Sequence, residues 1–414
     1  MFFVTRAAFV VALCALVVVG TLGLDWFGSA ATARAAEAPT IEIGIDLPLS
    51  GAEAAGNISI EDGMLLAIEQ ANAAGAVAGF HLAAVVLDDA VEGKHDPAQG
   101  AQNVRTFVAD PRIVVFLGPA NSNVAKAQIP LANDAGLAQI APSTTADELT
   151  RGPDAAKLRP AHPATITFFR LCTIDSRQGA AAAAFVQRLG LQRAFIIDDN
   201  ETYGKGLADV FERAFAVTGN RVVGHEHILP TQTDFTPLLT KVHGAGAQVL
   251  FYGGMANTGG SLLRRQQVSN GFGTILMVGG DGLSGADYIQ TAGPAADGSY
   301  YTISAPEVTK MPAAAAFIAA YAKRFHNVPG AYSANGYAAA RVAIAAIGKA
   351  VAAGHGTFPD RGAVLRNVAR TSRMPTPIGL VSFDRYGDMT APNLSLYVVR
   401  DGQPRFVSGL TLPK

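Results

Sequence analysis

The chain alternates short apolar runs with stretches in which apolar residues recur every three or four positions. Ile41–Leu47, His81–Leu87, Ile113–Leu117 and Leu137–Ile140 read as strands. The unbroken apolar run Ile113–Leu117 is what a parallel strand covered on both faces requires. Between them, Ile60–Ala74 sets Met64, Ala67, Ile68 and Ala71 on one helical face. Asp96 is placed to cap a helix running to about Ala109, and Ser122–Ala135 is helical. After a Pro-rich stretch the alternation restarts, with strands Thr167–Leu171, Arg193–Ile197, Arg221–Ile228, Ala247–Tyr252 and Thr274–Val278 and helices Ser176–Leu189 and Tyr203–Val217. Helices then dominate, at Ala313–Phe325, Ser333–Val351 and Asp360–Ala369. Val381–Phe383 and Leu394–Val399 are expected to form a closing hairpin turned at Tyr386-Gly387-Asp388. A βαβαβ pattern written twice predicts an α/β chain with two doubly wound parallel-sheet lobes.

The first residues stand outside this alternation. Met1–Arg6 is basic, Ala7–Leu24 is almost wholly apolar, and Ala33-Arg34-Ala35 fits a small-x-small cleavage site. That layout is a secretory signal peptide over residues 1–35 and predicts export to the periplasm. Cys14 is preceded by Leu13 rather than a small residue, so no lipid anchor is expected there. Beyond the leader, no segment is expected to be long and apolar enough to span a bilayer. The leader carries Arg6, Arg34 and Asp25, so its removal moves the formal charge from −1 to −2. No basic stripe suggests nucleic acid as a partner. One cysteine, Cys172, is left, which excludes an intrachain disulfide.

The common catalytic signatures are missing. The chain has no G-x-x-x-x-G-K-[ST], no G-x-S-x-G and no H-E-x-x-H. His225 and His227 share one strand face, but no third metal ligand is evident nearby, so they read as a polar face. Asp198 and Asp199 read as a strand end and a solvated loop. No enzymatic activity, cofactor or metal is expected. What the pattern does supply is a set of polar turns after strands: Leu117-Gly118-Pro119-Ala120-Asn121-Ser122-Asn123, then Ala141-Pro142-Ser143-Thr144-Thr145. Ligands of open α/β sheets bind outside the carboxyl ends of the strands, and a helix N-terminus with adjacent hydroxyls suits a carboxylate. Taken singly, these residues would be ordinary helix caps. In the second half, Glu201-Thr202-Tyr203-Gly204-Lys205-Gly206 and Gly279-Gly280-Asp281-Gly282 occupy corresponding turns, and Asp281 could receive an ammonium.

An ordered set of segments resembles the type I periplasmic binding proteins of the branched-chain amino acid class, over almost the whole mature chain. It comprises Ile43-Gly44-Ile45-Asp46-Leu47-Pro48-Leu49-Ser50-Gly51, Ala71-Asn72-Ala73-Ala74-Gly75, Leu87-Asp88-Asp89, Ala141-Pro142-Ser143-Thr144-Thr145, Asp175-Ser176-Arg177-Gln178-Gly179, Tyr203-Gly204 and Phe251-Tyr252-Gly253-Gly254. The resemblance implies two lobes joined by a three-strand hinge, with crossings near residues 172, 302 and 381. The lobes would be 36–172 plus 303–380, and 173–302 plus 381–414, closing on ligand by hinge motion. It also implies that Ser122 binds an amino acid carboxylate, with Asn121 beside it. Ser143, Thr144 and Thr145 would lie around the carboxylate and amine. Tyr203 would be a cleft tyrosine, and Asp281, where the family often has Glu, the partner of the α-ammonium. Tyr252 is a further candidate for the cleft wall.

The chain also departs from that family. Gly56 stands where the family has an aromatic over the ligand, which leaves room for a larger or more polar side chain. Val91 and Asn121 lie near where its first-lobe disulfide would be, and Thr150–Ala164 is a longer, surface excursion. The implied function is the periplasmic receptor of an ABC importer, a monomer that delivers an amino acid or similar small carboxylate to permease subunits at the membrane. The alternatives are a small-molecule sensor on the same fold, or a receptor for organic or aromatic acids or amides.

Overall fold

A computed structural model describes residues 38–410 except 218, 230 and 392. The export leader expected over residues 1–35 lies outside the described residues. The first sheet is formed by β1 (Thr40–Leu47), β2 (His81–Asp88), β3 (Ile113–Leu117), β4 (Ala138–Ala141) and β5 (Phe168–Arg170), all parallel, in the order β2-β1-β3-β4-β5. Helices α1 (Ala54–Ala73), α2 (Pro97–Ala109) and α3 (Ser122–Asp134) connect its strands. Asp96 caps α2 as expected, its carboxylate accepting from the N–H of Gln99. Helix α1 starts six residues before the expected Ile60, because the alanine-rich turn Ala54-Ala55 extends it without apolar periodicity.

The second sheet repeats this plan. It comprises β6 (Arg193–Asp198), β7 (Arg221–His227), β8 (Val249–Gly253), β9 (Leu276–Gly279) and β10 (Tyr300–Ile303), parallel in the order β7-β6-β8-β9-β10. Helices α4 (Asp175–Arg188) and α5 (Thr202–Val217) follow β5 and β6. Both sheets therefore have the 2-1-3-4-5 strand order, whose direction of winding reverses between the first and third strands. Glycines make the second half compact there: a Cβ on Gly204 would lie 2.5 Å from the carbonyl of Gly253, so α5 can approach β8 only without one.

The closing hairpin differs from expectation. Strands β11 (Ser395–Arg400) and β12 (Gln403–Gly409) pair antiparallel with each other and add β11 to β10. Their two-residue loop, Asp401-Gly402, has positive φ at both positions, the type I′ geometry that matches strand twist. Gly379–Val381 pairs instead with Met374–Thr376. The turn at Tyr386-Gly387-Asp388 is real, but it joins only a single bridge, Phe383 to Met389.

Three further helices, α6 (Ala315–Phe325), α7 (Ser333–Ala353) and α8 (Arg361–Ala369), return the chain to the first sheet, with α7 lying along α1. By length and composition α7 does qualify as a membrane span, contrary to the sequence expectation; 67% of its apolar window is buried, and its alanine face is core. The segment 150–164 also does more than skirt the surface. It folds into a short helix, Gly152–Lys157, whose Ala155 is buried, and Leu158 joins Leu149 and Phe168 in a small cluster. Arg151 and the buried Arg170 both pair with Asp388, each at 2.7 Å. The passages between sheets are tied together at Thr173. Its N–H donates to Ser304, and its hydroxyl bonds both the carbonyl and the N–H of Asn393.

Candidate functional site

The loops at the carboxyl ends of both parallel sheets line one cavity of about 360 Å³. The first sheet contributes the turn before α1 and its first residues, then 120–123 after β3, and Ser143 and Thr145 after β4. The second contributes Tyr203 after β6, Met255 after β8 and the stretch 281–287 after β9. The winding reversal causes this convergence, because loops on either side of it diverge and leave a crevice. A further wall, residues 327–332, comes from the segment between α6 and α7.

Ser122, Ser143, Thr145, Tyr203, Asp281 and Asn121 all line the cavity. Thr144 and Tyr252 do not. Thr144 lies behind the loop, where its carbonyl accepts from the Arg170 guanidinium at 3.1 Å. Tyr252 is fully buried under β8, its hydroxyl donating to the carbonyl of Met255 at 3.2 Å. Strand alternation turns Tyr252 away from the crevice, whereas Thr144 lies in the irregular loop after β4. Gly56 faces open space: a Cβ there would meet no atom within 4 Å.

One pole of the cavity offers donors. Helix α3 begins at Ser122; Asn123 Oδ1 accepts from the N–H of Val124 at 2.9 Å, and among the described residues no side chain caps the N–H groups of Ser122 and Asn123 at the positive helix end. Ser122 Oγ accepts from the N–H of Ala146 at 3.3 Å, which leaves its own proton to donate. Ser143 Oγ donates to the carbonyl of Ala120 at 3.2 Å and keeps its lone pairs. The Ser122→Ala variant is expected to weaken binding of a carboxylate ligand by ~1.5–3 kcal/mol, the worth of a hydrogen bond to a charged group. Titration calorimetry beside a denaturation curve separates this from a capping role, which would cost stability and leave affinity intact.

The other pole is an acceptor. Asp281 Oδ1 accepts from the Tyr203 hydroxyl and Gln178 Nε2, both at 2.7 Å, and Oδ2 accepts from the Tyr332 hydroxyl at 2.5 Å. Burial pushes this carboxyl's pKa up, while those three donors pull against it. No Lys, Arg or His pairs with it among the described residues. Tyr332 and Gln178 were not anticipated from sequence, since neither lies in a turn after a strand.

A polar cluster on the cavity wall joins the two halves. His95 Nδ1 meets Glu53 at 2.6 Å and its Nε2 meets Glu201 at 3.1 Å. Asn257 Nδ2 donates to Glu53 at 3.0 Å, and Asn123 Nδ2 to Glu201 at 3.2 Å. Burial alone would lower the pKa of His95, but hydrogen bonds to Glu201 and Glu53 raise it to about 10, so the imidazole is a cation at neutral pH. The same contact lowers the pKa of Glu53 against its burial. Asn121 Nδ2 donates to Glu53 at 2.9 Å, so the turn 117–123 and Glu201 beside Tyr203 pointed to part of this cluster; Glu53, His95 and Asn257 lie in unremarkable contexts.

Outside the cavity, His225 and His227 both contact Asp198 Oδ2, at 2.8 and 2.7 Å, and Glu212 holds the other nitrogen of His225. The third group that the sequence did not reveal is thus the strand-ending Asp198, which is buried rather than solvated.

Two doubly wound lobes whose strand ends face a shared cavity, with a donor pole on one wall and a carboxylate on the other, define a two-lobed ligand-binding protein. Residues 40–403 match the periplasmic binding protein family, and the chain belongs to that family, which comprises transporter substrate-binding receptors rather than enzymes. It is 32% identical over 366 residues to the Leu/Ile/Val-binding protein homolog 3 of Brucella melitensis, covering 88% of this chain and 92% of that one. It is also 32% identical to the Leu/Ile/Val-binding protein BraC3 of Rhizobium johnstonii, over 86% and 91% of the two chains. Among solved structures, it is similar to the branched-chain amino acid transporter substrate-binding protein LivJ of Streptococcus pneumoniae in complex with isoleucine. The TM-score is 0.76 at 25% identity, over 90% of this chain and all of that one.

Proposed function

We propose that this protein is the periplasmic receptor of an ABC importer and that it binds an α-amino acid between its lobes for delivery to the membrane permease. One observation carries this reading. Asp281 is a carboxylate at the cavity wall, oriented by three donors but without a cationic partner among the described residues. A desolvated carboxylate calls for a counter-charge, and a ligand ammonium supplies it. The open start of α3 with the free proton of Ser122 suits the ligand carboxylate. The two poles together match a zwitterion. The lobes that close on it are residues 36–172 plus 303–380 and 173–302 plus 381–414, and the basic, apolar, alanine-ended leader supports export. A thermal-shift screen of the mature protein tests the reading: a ligand at 100 times its Kd should stabilise the folded state by about 2.7 kcal/mol. The expected hits are amino acids. A screen in which only deaminated organic or aromatic acids raise the melting temperature would replace the amino acid with an acid ligand.

A further inference from the structure

Beyond the two poles, the rest of the cavity is lopsided in charge. Among the described residues four carboxylates line it, those of Glu53, Glu201, Asp281 and Asp287, and no Lys or Arg does. His95 is the one cation at the wall, and it is shared by Glu53 and Glu201, so that trio retains one negative charge. Asp281 is matched by the ligand's α-ammonium on the reading above. Asp287 has no cationic partner among the described residues, and burial, with Glu53 adding to it, raises its pKa to about 6. Glu201 commits Oε2 to His95 and Asn123, and its other oxygen takes no donor among the described residues. An amino acid with an apolar side chain would therefore leave an uncompensated excess of negative charge sealed in with it, which is costly in a desolvated cavity. Space is available for more than a branched aliphatic group, because Gly56 leaves its side of the wall open. Ala55, Ile60, Met255 and Ala286 line the cavity too and can cover an aliphatic stem.

We infer that the ligand is a cationic amino acid, whose aliphatic stem ends in an ammonium or guanidinium set against Asp287 and Glu201. This rests on the α-amino acid reading above and deepens it. The carboxylates would act by charge and as acceptors, so a neutral donor of the same shape should serve less well.

Calorimetric titration of the mature protein with matched ligands tests it. Lysine is compared with norleucine, which has a methyl at the tip, and arginine with citrulline, its neutral urea counterpart. Lysine and arginine are expected to bind at least tenfold tighter than their counterparts. Asp287→Asn and Glu201→Gln should each shrink that ratio at least threefold, the two ligands being compared within each variant so that a loss common to both, as expected from the His95 contact of Glu201, cancels, with melting temperature measured on each variant as a control for folding. The inference is overturned if leucine or norleucine binds as tightly as lysine, or if citrulline equals arginine; in either case the amino acid reading survives. It is overturned together with that reading if no amino acid binds at all. Ratios unchanged in both folded variants would also overturn the assignment to Asp287 and Glu201.

Discussion

Replacing Asp281 by Asn is expected to weaken amino acid binding by about 2–5 kcal/mol, most of it the cost of leaving the ligand ammonium sealed in without a counter-charge. The substitution keeps the shape and can keep hydrogen bonds to Tyr203 and Tyr332, since a hydroxyl can turn from donor to acceptor. The unliganded protein should behave differently. Its Asp281 has a raised pKa because it is buried without a cation. The folded state therefore holds a proton more tightly than the unfolded state, and stability from this group declines as pH rises from about 3.9 through the raised folded value. Asn removes that penalty, so the unliganded variant should melt at the same temperature as the wild type or higher at pH 7. Weaker binding with unimpaired stability is a combination that a structural role could not give. Measuring the same variant with a deaminated ligand completes a double-mutant cycle. Equal losses for both ligands would show that Asp281 does not touch the ammonium.

The second large effect is expected at His95. His95→Gln removes the cation between Glu53 in the first lobe and Glu201 in the second, leaving Glu53 buried with only amide donors. Breaking a buried pair costs about 3–5 kcal/mol, and the share from Glu201 is smaller because that side chain is 26% exposed. Part of the loss falls on folding, through Glu53 within the first lobe. The remainder falls on ligand affinity, through the contact between the two halves at the cavity wall, and at least a tenfold loss of affinity is expected. The pH dependence follows from the raised pKa of His95. Its contribution is complete below about pH 6.5 and is lost as pH rises through about 10. Wild-type stability should thus decline progressively between about pH 6.5 and 10, and the variant, which has no imidazole, should lack that part of the decline. Denaturation curves of the unliganded proteins across that range decide it: identical pH dependence of the two would show that His95 is not held as a cation between Glu53 and Glu201.

The sheets and most helices were legible along the chain because parallel strands covered on both faces must be apolar throughout. Ile113–Leu117 was read to the residue, and α3 and α7 to within two. The closing hairpin was misread for a local reason. Val381–Phe383 has strand composition, but pairing went to Asp401-Gly402, where positive φ at both residues is cheap. The same kind of signal located six residues that line the cavity, since strand-to-helix turns are where this topology opens. It erred at Thr144, which is in the right turn but lies behind the loop, and at Tyr252, which is still within strand β8 and buried.

Sequence alone thus determined the α/β class, the doubled βαβαβ plan and the turns from which a site could be built, because periodicity and turn chemistry are local properties. Tertiary structure decided which side chains converge. Tyr332 and Gln178 reach Asp281 from segments 51 and 103 residues away, and Glu53 meets Asn257 across 204 residues. Hydrogen-bond partners at such separations are chosen by how the two sheets face each other, and no local pattern encodes that choice. The lopsided charge of the cavity has the same origin. Its four carboxylates are scattered along a chain of nearly balanced charge, and only folding sets them around one space.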